Sequence, residues 1–160
     1  MTALRSPEKL GGAPHSKQSL RLWLRLLSCA MVVEKRVRQR LVDDFDMTLP
    51  RFDVLSALDR SPEGLTMGEL SELLLVSNGN ITQIVARLID DGLVLRLADG
   101  PDRRVIRVRL TDRGRATFAA AAERHEGWID HMMRDLVDDE IESLLASLDS
   151  VRASIERNRI

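Results

Sequence analysis

A mainly α fold with one small β-hairpin is what this sequence predicts, and three observations carry that expectation. Apolar residues recur at the helical period along most of the chain. Two aliphatic runs with period-two alternation, residues 93–97 and 105–110, flank the turn-forming Asp99-Gly100-Pro101-Asp102. Just ahead of them stand a capping-box helix, a tight turn and a second amphipathic helix. Residues 66–110 therefore have the order of a winged helix-turn-helix.

Residues 1–15, MTALRSPEKLGGAPH, contain Gly-Gly, two prolines and no periodicity, so a flexible N-terminal tail is expected. Residues 16–46 follow as a long first helix. Leu20, Trp23, Leu24, Leu27, Met31, Val37 and Leu41 make it apolar over a wide arc, which one neighbouring helix cannot cover. A second subunit is the expected cover. The run Lys35-Arg36-Val37-Arg38-Gln39-Arg40 reads as a solvated face. Thr48 and Pro50 open the next helix, with Phe52, Leu55 and Leu58 inward, and Ser61-Pro62-Glu63-Gly64 ends it.

Thr66 followed by Glu69 has the form of a capping box, in which each side chain satisfies an orphan amide of the first turn. The helix it opens would place Leu70, Leu73 and Leu74 on one face. Val76-Ser77-Asn78-Gly79 supplies the turn, and a second helix begins at about Asn78. Its stripe of Ile81, Ile84, Val85, Leu88 and Ile89 is expected to be buried. On the opposite side, at about 100° per residue, lie Gly79, Asn80, Gln83, Ala86 and Arg87, with Thr82 at the flank. Asn, Gln and Arg are the side chains that pair with adenine or guanine edges in the major groove, and small residues let a helix approach the groove floor.

In the hairpin, Ile106, Val108 and Leu110 would face the core, with Arg107 and Arg109 facing away and Arg103 and Arg104 at the tip. Residues 93–115 hold seven Arg against three Asp, a net of +4, in a chain whose total is −1. Residues 116–160 hold five Arg against ten acids. Positive charge is thus concentrated beside the second helix of the motif, where phosphates would lie.

Thr111 is expected to cap a long helix carrying Phe118, Trp128, Ile129, Met132 and Met133, and Leu136-Val137-Asp138-Asp139 to break it and cap the last one. Ile141, Leu144, Leu145, Leu148, Val151 and Ile155 form a narrow seam there, the pattern of a helix packed on one partner. The predicted organisation is a tail at 1–15, a first helix at 16–46, a DNA-binding winged helix-turn-helix at 47–115 and C-terminal dimerisation helices at 116–160.

Composition excludes several classes. At 160 residues the chain has the size of a single domain. No run of about 18 apolar residues could span a membrane and no signal-peptide core opens the chain, so a cytoplasmic protein is expected. The single cysteine, Cys29, rules out an internal disulfide. His15, His125 and His131 lack metal-ligand spacing, and His125 and His131 read as surface or interface residues. No paired carboxylate, Ser-His constellation or Gly-rich phosphate loop stands out, so neither an enzyme nor a cofactor is expected.

The runs LTMGEL, VSNGNITQIVARLIDDGLVLR and DRRVIRVRLTDRG, taken together and in this order, resemble the MarR family of bacterial transcriptional regulators. The resemblance covers roughly residues 17–158. It implies a homodimer built by the first and the last two helices, acting on double-stranded DNA. Two recognition helices about one DNA turn apart call for a pseudo-palindromic operator. Asn80, Gln83 and Arg87 would then read base edges, while Ser77, Asn78 and Thr82 meet phosphates near the helix N-terminus. Arg103 and Arg104 would enter the minor groove or clamp phosphates, with Asp102 holding one of them as the family's Asp-x-Arg pattern implies.

The resemblance further implies a repressor released by a small molecule, here a small aromatic acid or its coenzyme A thioester. Arg21, Trp23, Arg25, Met31 and Phe52 are the candidate pocket residues. An oxidation-sensing regulator working through Cys29 is the competing expectation. The chain has no Tyr to bond a thiolate, and Cys29 lies in an apolar run where its reactivity would be low. A winged-helix protein-interaction module is the other alternative, which a lack of salt dependence in DNA binding would reveal.

Overall fold

The structure, a computed structural model, describes residues 14–98 and 106–158. Among these described residues six helices and three strands follow in the order α1 (Pro14–Phe45), α2 (Leu49–Asp59), β1 (Leu65–Thr66), α3 (Met67–Leu74), α4 (Asn78–Asp90), β2 (Val94–Ala98), β3 (Ile106–Leu110), α5 (Asp112–Met133) and α6 (Asp138–Arg157). The chain divides into two compact units, Met1–His125 and Glu126–Ile160, where its length suggested one domain. Among the described residues no helix is long and apolar enough to cross a membrane.

α1 starts at Pro14, two residues before the expected boundary, because a proline's fixed φ and missing amide suit the first helical turn. Within the first unit its buried residues are Val37 and Leu41, beneath α2, where Phe52, Val54, Leu55, Ala57 and Leu58 are all buried. α2 is therefore apolar on more sides than its Phe52, Leu55 and Leu58 spacing showed. α3 contributes Leu70 to this core, and α4 contributes Ile81, Val85 and Leu88. Leu73, expected beside Leu70, is instead exposed, since the face that α3 buries runs through Leu70 and the half-buried Leu74 and leaves Leu73 at its edge.

The sheet has three strands, in the order β1-β3-β2. Sequence reading found the hairpin but not β1, whose two residues pair Leu65 with Val108 and Thr66 with Arg107. In the hairpin Val94 lies opposite Leu110 and Ala98 opposite Ile106. Val108 and Leu110 are buried as expected, but Ile106 is 46% exposed. It shares their face and lies beyond the end of the core. Arg107 and Arg109 are half-buried rather than turned to open solvent. The predicted turn Asp99-Gly100-Pro101-Asp102 lies outside the described residues, as do residues 1–13 of the expected tail.

α5 is capped by Thr111, whose hydroxyl accepts from the Gly114 amide at 2.9 Å. Gly114 is needed there: a Cβ at this position would stand 1.9 Å from the Leu93 carbonyl oxygen. Further along α5, Phe118 and His125 pack on the Phe52 ring, with centroids 5.4 and 5.0 Å apart. His125, read from the sequence as a surface or interface residue, is half-buried against aromatic carbon where α5 meets α2.

In the second unit the helix break falls within Leu136-Val137-Asp138-Asp139 as expected, with Val137 at the N-cap of α6. Its amide donates to Glu140 Oε2 at 3.0 Å, half of a capping box that valine cannot complete. Leu144, Leu145, Leu148 and Ile155 lie exposed along α6. α1 in the first unit shows the same property, with Leu22, Trp23, Leu24, Leu27, Met31 and Val32 exposed.

Candidate nucleic-acid interface

The interface is built on α3 and α4, and its rigidity begins at the caps. Thr66 Oγ1 accepts from the Glu69 amide at 3.2 Å while the Thr66 amide donates to Glu69 Oε2 at 2.7 Å, completing the capping box. α3 ends in Leu75, which takes the left-handed conformation at φ 55°, and Ser71 Oγ donates to the Val76 carbonyl across the turn. Ser77 then caps α4, its hydroxyl accepting from the Asn80 amide at 3.4 Å.

The far end of α4 is held by an ion pair between Arg51 of α2 and Asp91, the C-cap residue of α4. With both ends fixed and Ile81, Val85 and Leu88 buried, the opposite face of α4 is presented as a unit. Asn80, Thr82, Gln83 and Arg87 are all exposed on it, as are Asn78 and Gly79 at its start. Ala86 is half-buried among them, and Thr82 Oγ1 donates to the Asn78 carbonyl at 2.8 Å. Ser77 is also exposed while it caps. The structure thus gathers Ser77, Asn78, Asn80, Thr82, Gln83 and Arg87 on one outward surface. The other three expected DNA-contacting residues, Asp102, Arg103 and Arg104, lie outside the described residues.

A solved MarR family transcriptional regulator from Silicibacter pomeroyi matches this arrangement across nearly its whole length. It is 33% identical, with 90% of this chain and 99% of that chain covered and a TM-score of 0.77. This chain belongs to the MarR family. The family model described as MarR family matches residues 45–105, the segment from the end of α1 to the wing. Among curated proteins, the transcriptional activatory protein BadR of Rhodopseudomonas palustris is 34% identical over 105 residues, which are 64% of this chain and 59% of BadR's length. A mutant MarR from E. coli, solved in complex with operator DNA, is 25% identical over 84% of this chain and 95% of its own, with a TM-score of 0.72. The chain is accordingly a DNA-binding transcriptional regulator of the MarR family and not an enzyme.

The five expected pocket residues do not converge. Met31 lines an open groove of about 420 Å³ along α1 with Glu34, Lys35, Arg38, Gln39 and Val42. Arg21, Trp23 and Arg25 are exposed two turns or so nearer the α1 N-terminus and do not line it. Phe52 is buried under Phe118 and His125 and serves the core of the first unit. The part of α1 read as a solvated face therefore supplies the groove's cations, Lys35 and Arg38, which sequence reasoning passed over. Arg38 is in turn paired with Glu34. Cys29 is exposed in this chain, not sheltered within its apolar run.

Proposed function

We propose that this MarR-family member acts as a homodimer on a pseudo-palindromic operator, represses from it, and is released by a small aromatic acid or its coenzyme A thioester. The observation that carries the reading is the outward face of α4, where amide and guanidinium donors at Asn80, Gln83 and Arg87 stand clear of the core on a helix pinned at both ends. Asn80 and Gln83 have the chemistry for adenine edges and Arg87 for guanine. Ser77, Asn78 and Thr82 sit at the helix N-terminus, where free amides favour phosphate. Arg103 and Arg104, which with Asp102 carry the family's Asp-x-Arg pattern, would add the wing contacts. Pairing of two copies is supported by the exposed leucines of α1 and α6, which a single chain leaves in water. A regulator that works on DNA in this way acts in the cytoplasm.

The effector is the finer part of the proposal. Met31 and Val42 offer apolar contact along the α1 groove, and Lys35 and Arg38 offer cations, a combination suited to an amphipathic anion. The test is to recover bound duplex from random sequence, measure its affinity as salt is raised, and then screen aromatic carboxylates and acyl thioesters for release. A twofold-symmetric site, a steep salt dependence and release by an acid or thioester are expected. Indifference to duplex in dilute salt would overturn the reading. Activation instead of repression is a second reading, favoured by the likeness to BadR, an activatory protein. A reporter driven from the recovered site separates the two.

A further inference from the structure

Glu69 and Arg107 are 38 residues apart in sequence and meet where the helix-turn-helix joins the wing. Arg107 Nη1 donates to Glu69 Oε2 at 3.0 Å and to the Gly64 carbonyl at 3.1 Å. The same Glu69 oxygen accepts from the Thr66 amide, so one carboxylate serves the α3 cap and the β3 side chain together. Thr66 is both the last residue of β1, opposite Arg107, and the N-cap of α3. Gly64, at φ +83°, brings the preceding turn so close to β3 that a Cβ there would stand 2.7 Å from the Val108 carbonyl oxygen.

The placement of these groups matters more than their strength. α3 packs against α4, which carries the base-reading face, and β3 leads directly from the wing tip. The buried core beneath Val94, Val108 and Leu110 joins wing and reading helix on one side, and the α3 start joins them on another, where Leu65, Thr66 and Met67 are only half-buried and polar contacts can add to the fit. The Glu69 carboxyl is held below its ordinary range, first by the Thr66 amide and hydroxyl and further by Arg107, so the contact is ionised at neutral pH.

We infer that Glu69 and Arg107 are positioning residues, which fix the wing relative to α4 and so govern how well both engage one duplex without themselves touching it. This rests on the DNA-reading role proposed for α4 and the wing. Electrostatics alone gives Glu69 the opposite sign of effect: a carboxylate near DNA repels phosphate, and its removal should tighten binding. Positioning makes its removal weaken binding.

The test uses the full-length protein and the duplex recovered from random sequence. Glu69→Gln keeps an oxygen to accept from the Thr66 amide, so α3 remains capped. Glu69→Gln and Arg107→Gln should each weaken binding about threefold to fivefold, the range of an exposed charge pair. The double variant should be no worse than the weaker single one, because the two side chains act together. The salt dependence should stay that of the wild type, and Arg107→Lys should restore part of the affinity. Without DNA, amide exchange in β1 and β3 should quicken in both single variants. Tighter or unchanged binding by Glu69→Gln would overturn the inference, as would a salt slope lowered by about one in Arg107→Gln, which marks a direct phosphate contact. The exchange measurement needs no DNA. Were the wild type to ignore duplex, the proposed function would fall while unchanged exchange rates would separately sink the latch.

Discussion

The imidazole of His125 lies 5.0 Å from the ring of Phe52, tilted by 39°, and so closes α5 over α2. Asp53, the next residue of α2, has its carboxyl pushed above the ordinary range by burial and by Glu34, against the opposing pull of Arg38 and His125. A carboxyl whose folded value is raised weakens the fold once ionised. Its penalty is absent below the unfolded value, grows as pH rises through the window up to the folded one, and is full above it. Asp53→Asn should therefore be more stable than wild type at neutral pH. That advantage should shrink as pH approaches 3.8, the ordinary carboxyl value, when denaturant midpoints are compared.

Gly114 admits no side chain. A methyl group would overlap the Leu93 carbonyl, which is backbone and also accepts from the Thr111 amide at 3.0 Å. Gly114→Ala ordinarily favours a helix, yet here it should destabilise by about 3 kcal/mol, the upper range of overpacking. Urea unfolding would measure this. A stabilised variant would show that the contact is looser than described.

Leu75 holds a left-handed conformation with 92% of its surface exposed, so its side chain gains little from burial and the backbone carries the strain. Replacement by Asn, which tolerates that region through its own short polar side chain, should stabilise by about 1 kcal/mol. Thermal unfolding would reveal it as a rise in midpoint, with no change in the helical content.

Leu24 on α1 and Leu145 on α6 are 40% and 57% exposed in a single chain. For an isolated protomer, Leu24→Glu or Leu145→Glu should change stability by no more than about 0.5 kcal/mol. If these faces pair between copies, each substitution buries a charge and should convert dimer to monomer in sedimentation or light scattering. DNA affinity should fall with it, because two half-sites can no longer be held together. Dimers that persist in both variants would refute this pairing surface.

The parts of the fold that could be read in the sequence were those with a local cause. The Thr66–Glu69 box and the α4 stripe each depend on residues within a few positions; the box stands in the structure, and of the stripe Ile81, Val85 and Leu88 are buried while Ile84 and Ile89, at its edges, are half-buried. β1 was not legible because two residues have no period. Ile106 and Leu73 were misplaced because periodicity gives the face of an element but not its edge or the point where its neighbour ends. Contacts distant in sequence were invisible for another reason: nothing in residues 52 and 125, or 69 and 107, marks them as partners until the chain is folded. The α4 face was legible in composition, whereas the α1 groove was hidden within an ordinary run of helical charges.

Because the opening turn of α5 rests on bare backbone at Leu93, the hairpin has no slack at its root. Further along the ribbon Val108 is still buried and Arg107 is tied to Glu69, and only at Ile106 does the described part of β3 come clear of the core. Retuning of this regulator toward new sites, by selection or by design, is thus closed at the root of the ribbon, where any added atom meets main chain.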